Sequence, residues 1–134
     1  METLNPDEIP EPDCAPGAPH PRDTISLFGQ STAETAFLDA FNSARVHHAW
    51  IITGPRGVGK ATLAWRIAKF LLSQPTKETA KGSISIKPPN PKTLDIDQNH
   101  PSVRRAQSLG EPRLFLCRRP WDDKAKRLKK EITV

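Results

Sequence analysis

Residues 54–62 have the residue types and the spacing of a phosphate-binding loop, with the sequence GPRGVGKAT. They match the pattern G-x-x-x-x-G-K, in which glycines let the backbone wrap so that successive N–H groups converge on phosphate oxygens. A helix that begins at the end of such a loop points its positive end at the same anion. Lys60 would neutralise the β- and γ-phosphates as a point charge. The candidate nucleotide-binding residues are Gly54, Arg56, Gly57, Val58, Gly59, Lys60, Ala61 and Thr62.

The position after the lysine departs from the usual pattern, because Ala61 stands where a serine or threonine is expected. In an intact loop that hydroxyl ligates Mg²⁺, and alanine has none. Thr62 lies one residue further on, a rotation of about 100° around a helix, so it does not simply replace the ligand, although it can meet a phosphate nearer the ribose. Arg56 is either a further phosphate contact or a surface arginine, and we favour the surface arginine. The loop is compatible with ATP or ADP, but we do not expect hydrolysis or Mg²⁺ ligation, and we assign no catalytic residue.

The segments that flank the loop predict a strand before it and a helix after it. Residues 48–54, HAWIITG, form a short apolar run that ends in glycine, which is typical of a buried strand. Residues 61–72 predict an amphipathic helix. Its apolar positions are Leu63, Ile67, Phe70 and Leu71, with Arg66 and Lys69 expected to face away.

Two further elements complete the predicted core. Ser31 or Thr32 can cap a helix that runs to about Ser43, with an apolar face formed by Phe37, Leu38 and Phe41. Residues 113–117, RLFLC, predict a second buried strand. The order helix, strand, helix, irregular segment, strand indicates an α/β fold with a parallel sheet. Trp50 and Trp65 are expected in or near the core.

Composition divides the rest of the chain into distinct segments. The 134 residues include 14 prolines, and 20 Lys+Arg against 15 Asp+Glu give a formal net charge of +5. Residues 1–21 are rich in proline and acidic up to residue 13, which predicts a disordered leader. Residues 74–112 contain further prolines and predict a mostly irregular insertion. Cys14 and Cys117 are too far apart for a zinc module, so no metal site is expected, and no apolar run is long enough to span a membrane.

Residues 118–130 are strongly basic, and two interpretations remain open. The first is contact with the phosphate backbone of primer–template DNA. The second is a solvated linker or helix face, with ion pairs between Asp122 and Lys126 and between Asp123 and Arg127. We favour the solvated face, because the segment offers no interleaved aromatic side chains for base stacking beyond Trp121.

The stretch RVHHAWIITGPRGVGKATLAWRIAKFLL, residues 45–72, resembles the opening of the AAA+ clamp-loader subunits of bacterial DNA polymerase III. The preceding LFGQSTAETAFLDAFNSARVHHAW resembles the lead-in of the same family. The GKAT loop and the C-terminal RLFLCRRPWDDKAKRLKKEITV look most like the delta-prime branch. The resemblance covers roughly residues 19–74 and 111–134.

The resemblance implies a P-loop NTPase fold of three αβα layers with a parallel sheet, present here as the N-terminal part of the domain over residues 22–134. It implies a cytoplasmic subunit that helps load the sliding clamp on primed DNA, in a hetero-oligomer with delta and gamma/tau subunits. It also implies that the Walker B, sensor and arginine-finger motifs, with the lid and collar domains, lie beyond residue 134. The alternative is an active ATPase of the gamma/tau type. Those subunits carry a GKT or GKS loop and four zinc-binding cysteines, whereas this chain has Ala61 and no cysteine between residues 15 and 116.

Overall fold

A computed structural model describes residues 9–75, 77–78, 84–85 and 90–132. The chain divides into two compact units, one formed by residues 21–114 and the other by residues 1–20 with 115–134. The larger unit contains a short 3-10 helix at Pro21–Asp23, then α1 (Ser31–Asn42), α2 (Lys60–Ser73), β1 (Lys77–Glu78), β2 (Ile84–Ser85) and α3 (Pro101–Gln107). The smaller unit contains β3 (Trp121–Asp122) and β4 (Arg127–Leu128). Strands β1 and β2 pair with each other, as do β3 and β4, and both pairs are antiparallel.

The core of the larger unit is aromatic and joins α1 to α2. The Phe41 ring packs edge-on against Phe70 of α2 with ring centroids 5.0 Å apart, and Phe37 does the same at 6.2 Å. Leu38, Leu63 and Leu94 complete the buried cluster. Edge-to-face geometry sets the positive ring edge against the negative ring face, which adds to the benefit of removing large apolar surfaces from water.

The helix α1 confirms the predicted apolar face, since Phe37, Leu38 and Phe41 are all buried. Its N-cap is Gln30, however, and not Ser31 or Thr32, and no side chain caps the helix. The Gln30 amide instead donates a hydrogen bond to the Val58 carbonyl at 3.1 Å. A long-range contact therefore takes the place of the predicted local cap.

The helix α2 also lies where it was predicted, but part of its polar face was placed wrongly. Lys69 is 3% exposed, and its amine donates a hydrogen bond to the carbonyl of Arg22 in the 3-10 helix. Burial lowers the pKa of this amine, Asp23 opposes that effect, and the Arg66 charge adds to it. Leu71, expected in the core, is 41% exposed. The 3-10 helix and α3 pack against α2, and they cover part of the face that an isolated amphipathic helix would leave to solvent.

The two predicted buried strands are not observed. Residues 48–54 and 113–117 have no strand conformation, and Ile51 and Phe115 are 88% and 86% exposed. A strand is defined by its hydrogen-bonded neighbour, and neither segment pairs with a strand among the described residues. Trp65 is buried as expected, while Trp50 is 43% exposed and packs edge-on against Phe37.

Within residues 74–112, expected to be mostly irregular, the structure contains α3. The His100 Nδ1 accepts a hydrogen bond from the Ser102 amide at 3.2 Å, and Pro101 occupies the first turn. Proline is well suited to that position because it has no N–H group to satisfy and its φ is already helical. Val103 and Ala106 are fully buried. Of the prolines that suggested an irregular segment, Pro101 therefore starts a helix.

Glu111 links Arg113, near the C-terminal end of the larger unit, to Arg105 of α3. Its carboxylate is 1% exposed and accepts hydrogen bonds from Arg105 Nε at 3.0 Å and Arg113 Nε at 2.8 Å. Arg113 also donates to the Ser102 hydroxyl and to the Leu72 carbonyl at the end of α2. The hydrogen bonds from Arg113, opposed by burial and aided by those from Arg105, lower the pKa of Glu111 to about 2.

Of the predicted disordered leader, residues 1–21, the first eight residues lie outside the described residues. Residues 9–20 form turns, and the His20 side chain is 5% exposed with its Nε2 2.8 Å from Glu11 Oε2 and 3.1 Å from Asp13 Oδ1. Arg118 Nη1 lies 2.8 Å from the same Glu11 oxygen. These contacts set a histidine and an arginine beside the Glu11 and Asp13 carboxylates, and the disorder of the leader stays a prediction.

No helix among the described residues is long and apolar enough to cross a bilayer.

We predict that Glu111→Gln destabilises the protein near neutral pH and flattens the acid side of its stability profile. A carboxyl with a lowered folded-state pKa contributes stability above its unfolded value, 4.5, and loses it as the pH falls toward about 2. Urea unfolding at several pH values measures this. The exposed Asp39→Asn is the control, and a Glu111→Gln profile parallel to wild type between pH 4.5 and 2 would contradict the role of Glu111.

Candidate phosphate-binding site

The glycine-rich loop connects the segment 48–54 to the first residue of α2. Gly54, Gly57 and Gly59 all have positive φ angles, of 150°, 84° and 96°. Side chains are disfavoured at such angles because Cβ crowds the backbone, so glycine is the residue that accepts this path. The three glycines of the loop therefore lie at the positions where the backbone conformation disfavours any other residue.

The helix α2 begins directly from this loop. Gly59 is its N-cap, and the Leu63 amide makes the first helical hydrogen bond, to the Gly59 carbonyl at 2.9 Å. The amides of Lys60, Ala61 and Thr62 therefore precede the first helical bond and have no acceptor within the helix. Such amides, together with the helix dipole, favour an anion at this end of α2.

The Lys60 side chain folds back over the loop. Its Nζ donates hydrogen bonds to the Gly54 carbonyl at 2.9 Å and to the Pro55 carbonyl at 2.5 Å. The positive charge of Lys60 is thereby held at the start of the loop, six residues away in sequence. A phosphate bound within the loop would meet this amine already positioned.

The remaining predicted residues differ in how they are placed. Ala61 and Thr62 lie half-buried in the first turn of α2, whereas Arg56 is exposed at the loop tip. The exposed side chain of Arg56 is compatible with both interpretations of this residue. Ala61 offers no oxygen at the position where an intact loop presents a metal ligand.

Two residues that support the loop were not recognised as site residues from the sequence. Leu27 lies against Gly59 so closely that a Cβ added there would come within 2.5 Å of Leu27 Cδ1. Gln30 anchors the loop through the Val58 carbonyl. Both belong to the LFGQ segment, and only their proximity after folding reveals the contact.

A cleft of about 410 Å³ lies beside α1, lined by residues 25–28, the start of α1, Arg66 and residues 92–95. None of residues 54–62 lines it. Leu27 lines the cleft and also lies against Gly59 of the loop. The loop is therefore next to the cleft but does not line it.

A second group of possible ligand residues lies in the smaller unit. Glu11, Asp13 and His20 each place one oxygen or nitrogen within 4.8 Å of the others. No residue spacing in the sequence predicts this group. Arg118 forms an ion pair with Glu11 and so already supplies a positive charge beside the two carboxylates. We therefore interpret the group as an ion-pair cluster.

We predict that Gly59→Ala destabilises the protein more than Gly57→Ala does. Both positions have positive φ, which costs an alanine about 1–2 kcal/mol, but only Gly59 faces a neighbouring side chain. Gly57 has nothing within 4 Å of its added Cβ and is therefore the matched control. Urea unfolding of both variants, alone and combined with Leu27→Ala, measures the contact as a double-mutant cycle. Equal losses for the two alanine variants would show that Leu27 does not constrain the loop.

Comparison with known proteins finds partial similarity to subunits of bacterial DNA polymerase III. The DNA polymerase III subunit gamma of Buchnera aphidicola subsp. Schizaphis graminum is 41% identical over 51 residues, which cover 38% of this chain and 14% of that protein. The subunit tau of Escherichia coli K12 is 37% identical over 51 residues, or 38% of this chain and 8% of that protein. No family model and no solved structure matches the chain.

The matched segment thus spans less than a sixth of the relatives' length. The named relatives are gamma and tau subunits, and the match gives no support to the delta-prime branch in particular. The chain is thus similar over a short segment to gamma and tau subunits of bacterial DNA polymerase III.

Proposed function

We propose that the chain belongs to the delta-prime type of clamp-loader subunit, which helps load the sliding clamp on primed DNA through contacts with delta and gamma/tau subunits. In this proposal its fold is a P-loop αβα domain of the AAA+ class. The observation that carries the proposal is the combination of partial identity to gamma and tau subunits with Ala61 at the metal-ligand position.

The geometry of the loop supports phosphate binding more strongly than it supports hydrolysis. Three amides at the start of α2 precede the first helical hydrogen bond, and Lys60 Nζ is held at the loop. Both features favour an anion whether or not a metal is present. Hydrolysis further needs Mg²⁺ to neutralise charge that develops on the phosphates, and the Ala61 methyl group contributes nothing to that.

An active ATPase of the gamma/tau type is the second candidate. It is favoured by the names of the similar proteins, which are gamma and tau subunits, and by the intact G-x-x-x-x-G-K pattern. The two candidates differ in one measurable respect, the dependence of the site on Mg²⁺.

We predict that nucleotide affinity of the wild-type chain changes little when Mg²⁺ is removed by EDTA, whereas Ala61→Ser makes it Mg²⁺-dependent. The added hydroxyl supplies the ligand that the loop lacks. Titration with a fluorescent ADP analogue measures the affinity, and Lys60→Ala should weaken it at least 10-fold in either background. Ala64→Ser, on the exposed part of α2, is the matched control. Mg²⁺-dependent ATP turnover by the wild type, abolished by Lys60→Ala, would favour the second candidate.

Assembly tests the subunit proposal separately from nucleotide binding. The protein, mixed with purified delta and gamma subunits of its source organism, is expected to co-elute with them as one complex on size-exclusion chromatography. Lys60→Ala should assemble equally well, because the proposed role acts through interfaces. If the wild type elutes alone while delta and gamma associate with each other, the subunit proposal is wrong.

A further inference from the structure

The segment 119–130, expected from its charge pattern to be a helix or linker, contains a hairpin. Strand β3 pairs with β4 in antiparallel register, Trp121 opposite Leu128 and Asp122 opposite Arg127, and residues 123–126 form the connecting loop. The Lys129 amide donates a hydrogen bond to the Pro120 carbonyl at 2.8 Å, which extends the pairing by one step. We call residues 119–130 the basic hairpin.

The Asp122 carboxylate holds the loop of the basic hairpin in shape. Its Oδ1 accepts hydrogen bonds from the Lys124 and Ala125 amides, each at 3.0 Å. These hydrogen bonds, first that from Ala125, lower the pKa of Asp122, and the charges of Lys129 and Arg127 contribute to the same effect. An aspartate that bonds to amides two and three residues ahead stabilises a tight turn.

Because the segment is a hairpin, helical ion pairs do not explain the spacing of its basic residues. Ion pairs between Asp122 and Lys126, or between Asp123 and Arg127, depend on the four-residue spacing of a helix, and residues 121–128 are a hairpin. Among the described residues, none of the basic side chains of this hairpin lies within ion-pair distance of a carboxylate. The positive charges are therefore not held in close ion pairs within the described part of the chain.

The charges are also exposed together and in excess. The basic hairpin has six positive and two negative residues, a net charge of +4, against +5 for the whole chain. Its exposed basic side chains are Arg119, Lys124, Lys126, Arg127, Lys129 and Lys130. Lys126 has a φ of 50°, a conformation that favours glycine or asparagine, so the loop carries a lysine where local geometry alone would select another residue.

We propose that the basic hairpin binds the phosphate backbone of duplex DNA. A short ribbon with six exposed cations against two carboxylates suits a regular line of phosphates, and binding is driven by release of the counterions condensed on the duplex. Trp121, its aromatic residue, is partly buried at the base, so contact is with phosphates and not through base stacking. The contact belongs to this chain itself and does not depend on the nucleotide loop or on assembly with other subunits.

The test compares two variants with equal loss of charge. Lys124→Gln/Lys126→Gln/Arg127→Gln removes three positive charges from the basic hairpin, and Arg45→Gln/Lys92→Gln/Arg104→Gln removes three exposed charges from the larger unit. Each lowers the formal net charge from +5 to +2. Fluorescence anisotropy with a labelled 20-base-pair duplex of random sequence, at four salt concentrations, gives the affinity and its salt dependence.

The hairpin variant is expected to bind at least 10-fold more weakly at about 0.1 M salt, and its log–log salt slope to be smaller by about 2–3, since each lost phosphate contact removes about 0.9. The control variant should retain at least half the wild-type affinity. Thermal unfolding of both variants shows that each is folded. The single variant Lys126→Asn removes one charge with a residue that suits the positive φ of this position, so a weaker affinity of this variant is not caused by backbone strain.

Equal weakening of the two variants would overturn the proposal, because it would show a response to net charge alone. An unchanged affinity of the hairpin variant would also overturn it. Vesicles of anionic and neutral phospholipids serve as the competing surface. If the wild type binds anionic vesicles through these three residues and does not bind the duplex, the hairpin contacts membranes and the proposal is wrong.

Discussion

The Arg66 guanidinium on α2 holds three segments of the larger unit together. It donates hydrogen bonds to Glu34 of α1 at 2.8 Å, to the Ile25 carbonyl at 2.5 Å, and to Asp95 at 3.1 Å. The planar fork of an arginine can make all three contacts at once, which a lysine amine cannot do in the same geometry. Since the Arg66 side chain is 12% exposed, loss of any one partner would leave a mostly buried charge less well compensated.

This interaction also determines where the candidate loop lies. Residues 25–30 are held to α2 at one end by Arg66, and at the other end Leu27 and Gln30 contact Gly59 and Val58. The segment is thus fixed between the middle of α2 and the loop that precedes it. A loop that must present its amides to an anion benefits from such support, because geometry organised in advance lowers the cost of binding. The aromatic contacts between α1 and α2 provide the apolar part of the same packing.

The sequence predicted helices better than strands, for a physical reason. A helix satisfies its backbone hydrogen bonds within the segment, so the period of Phe37, Leu38 and Phe41 was enough to locate α1. A strand depends on a partner that its own sequence does not specify, and residues 48–54 remain without one among the described residues. The turn at Asp122 was missed because a charge pattern at four-residue spacing fits a helix as well as a loop. Helix α3 was missed because proline was interpreted as a breaker, although it favours the first turn.

The sequence by itself determined the phosphate-loop pattern, the loss of the hydroxyl at position 61 and the excess of positive charge near residues 118–130. These follow from residue types at short spacing, which local chemistry constrains without knowledge of the fold. Only the tertiary structure decided that Gln30 anchors the loop instead of capping α1, that Lys69 is buried, and that residues 119–130 contain a hairpin whose exposed cations make no close ion pair among the described residues. Each of these depends on which distant groups come within hydrogen-bonding or ion-pair distance, and that is decided by packing and not by sequence period.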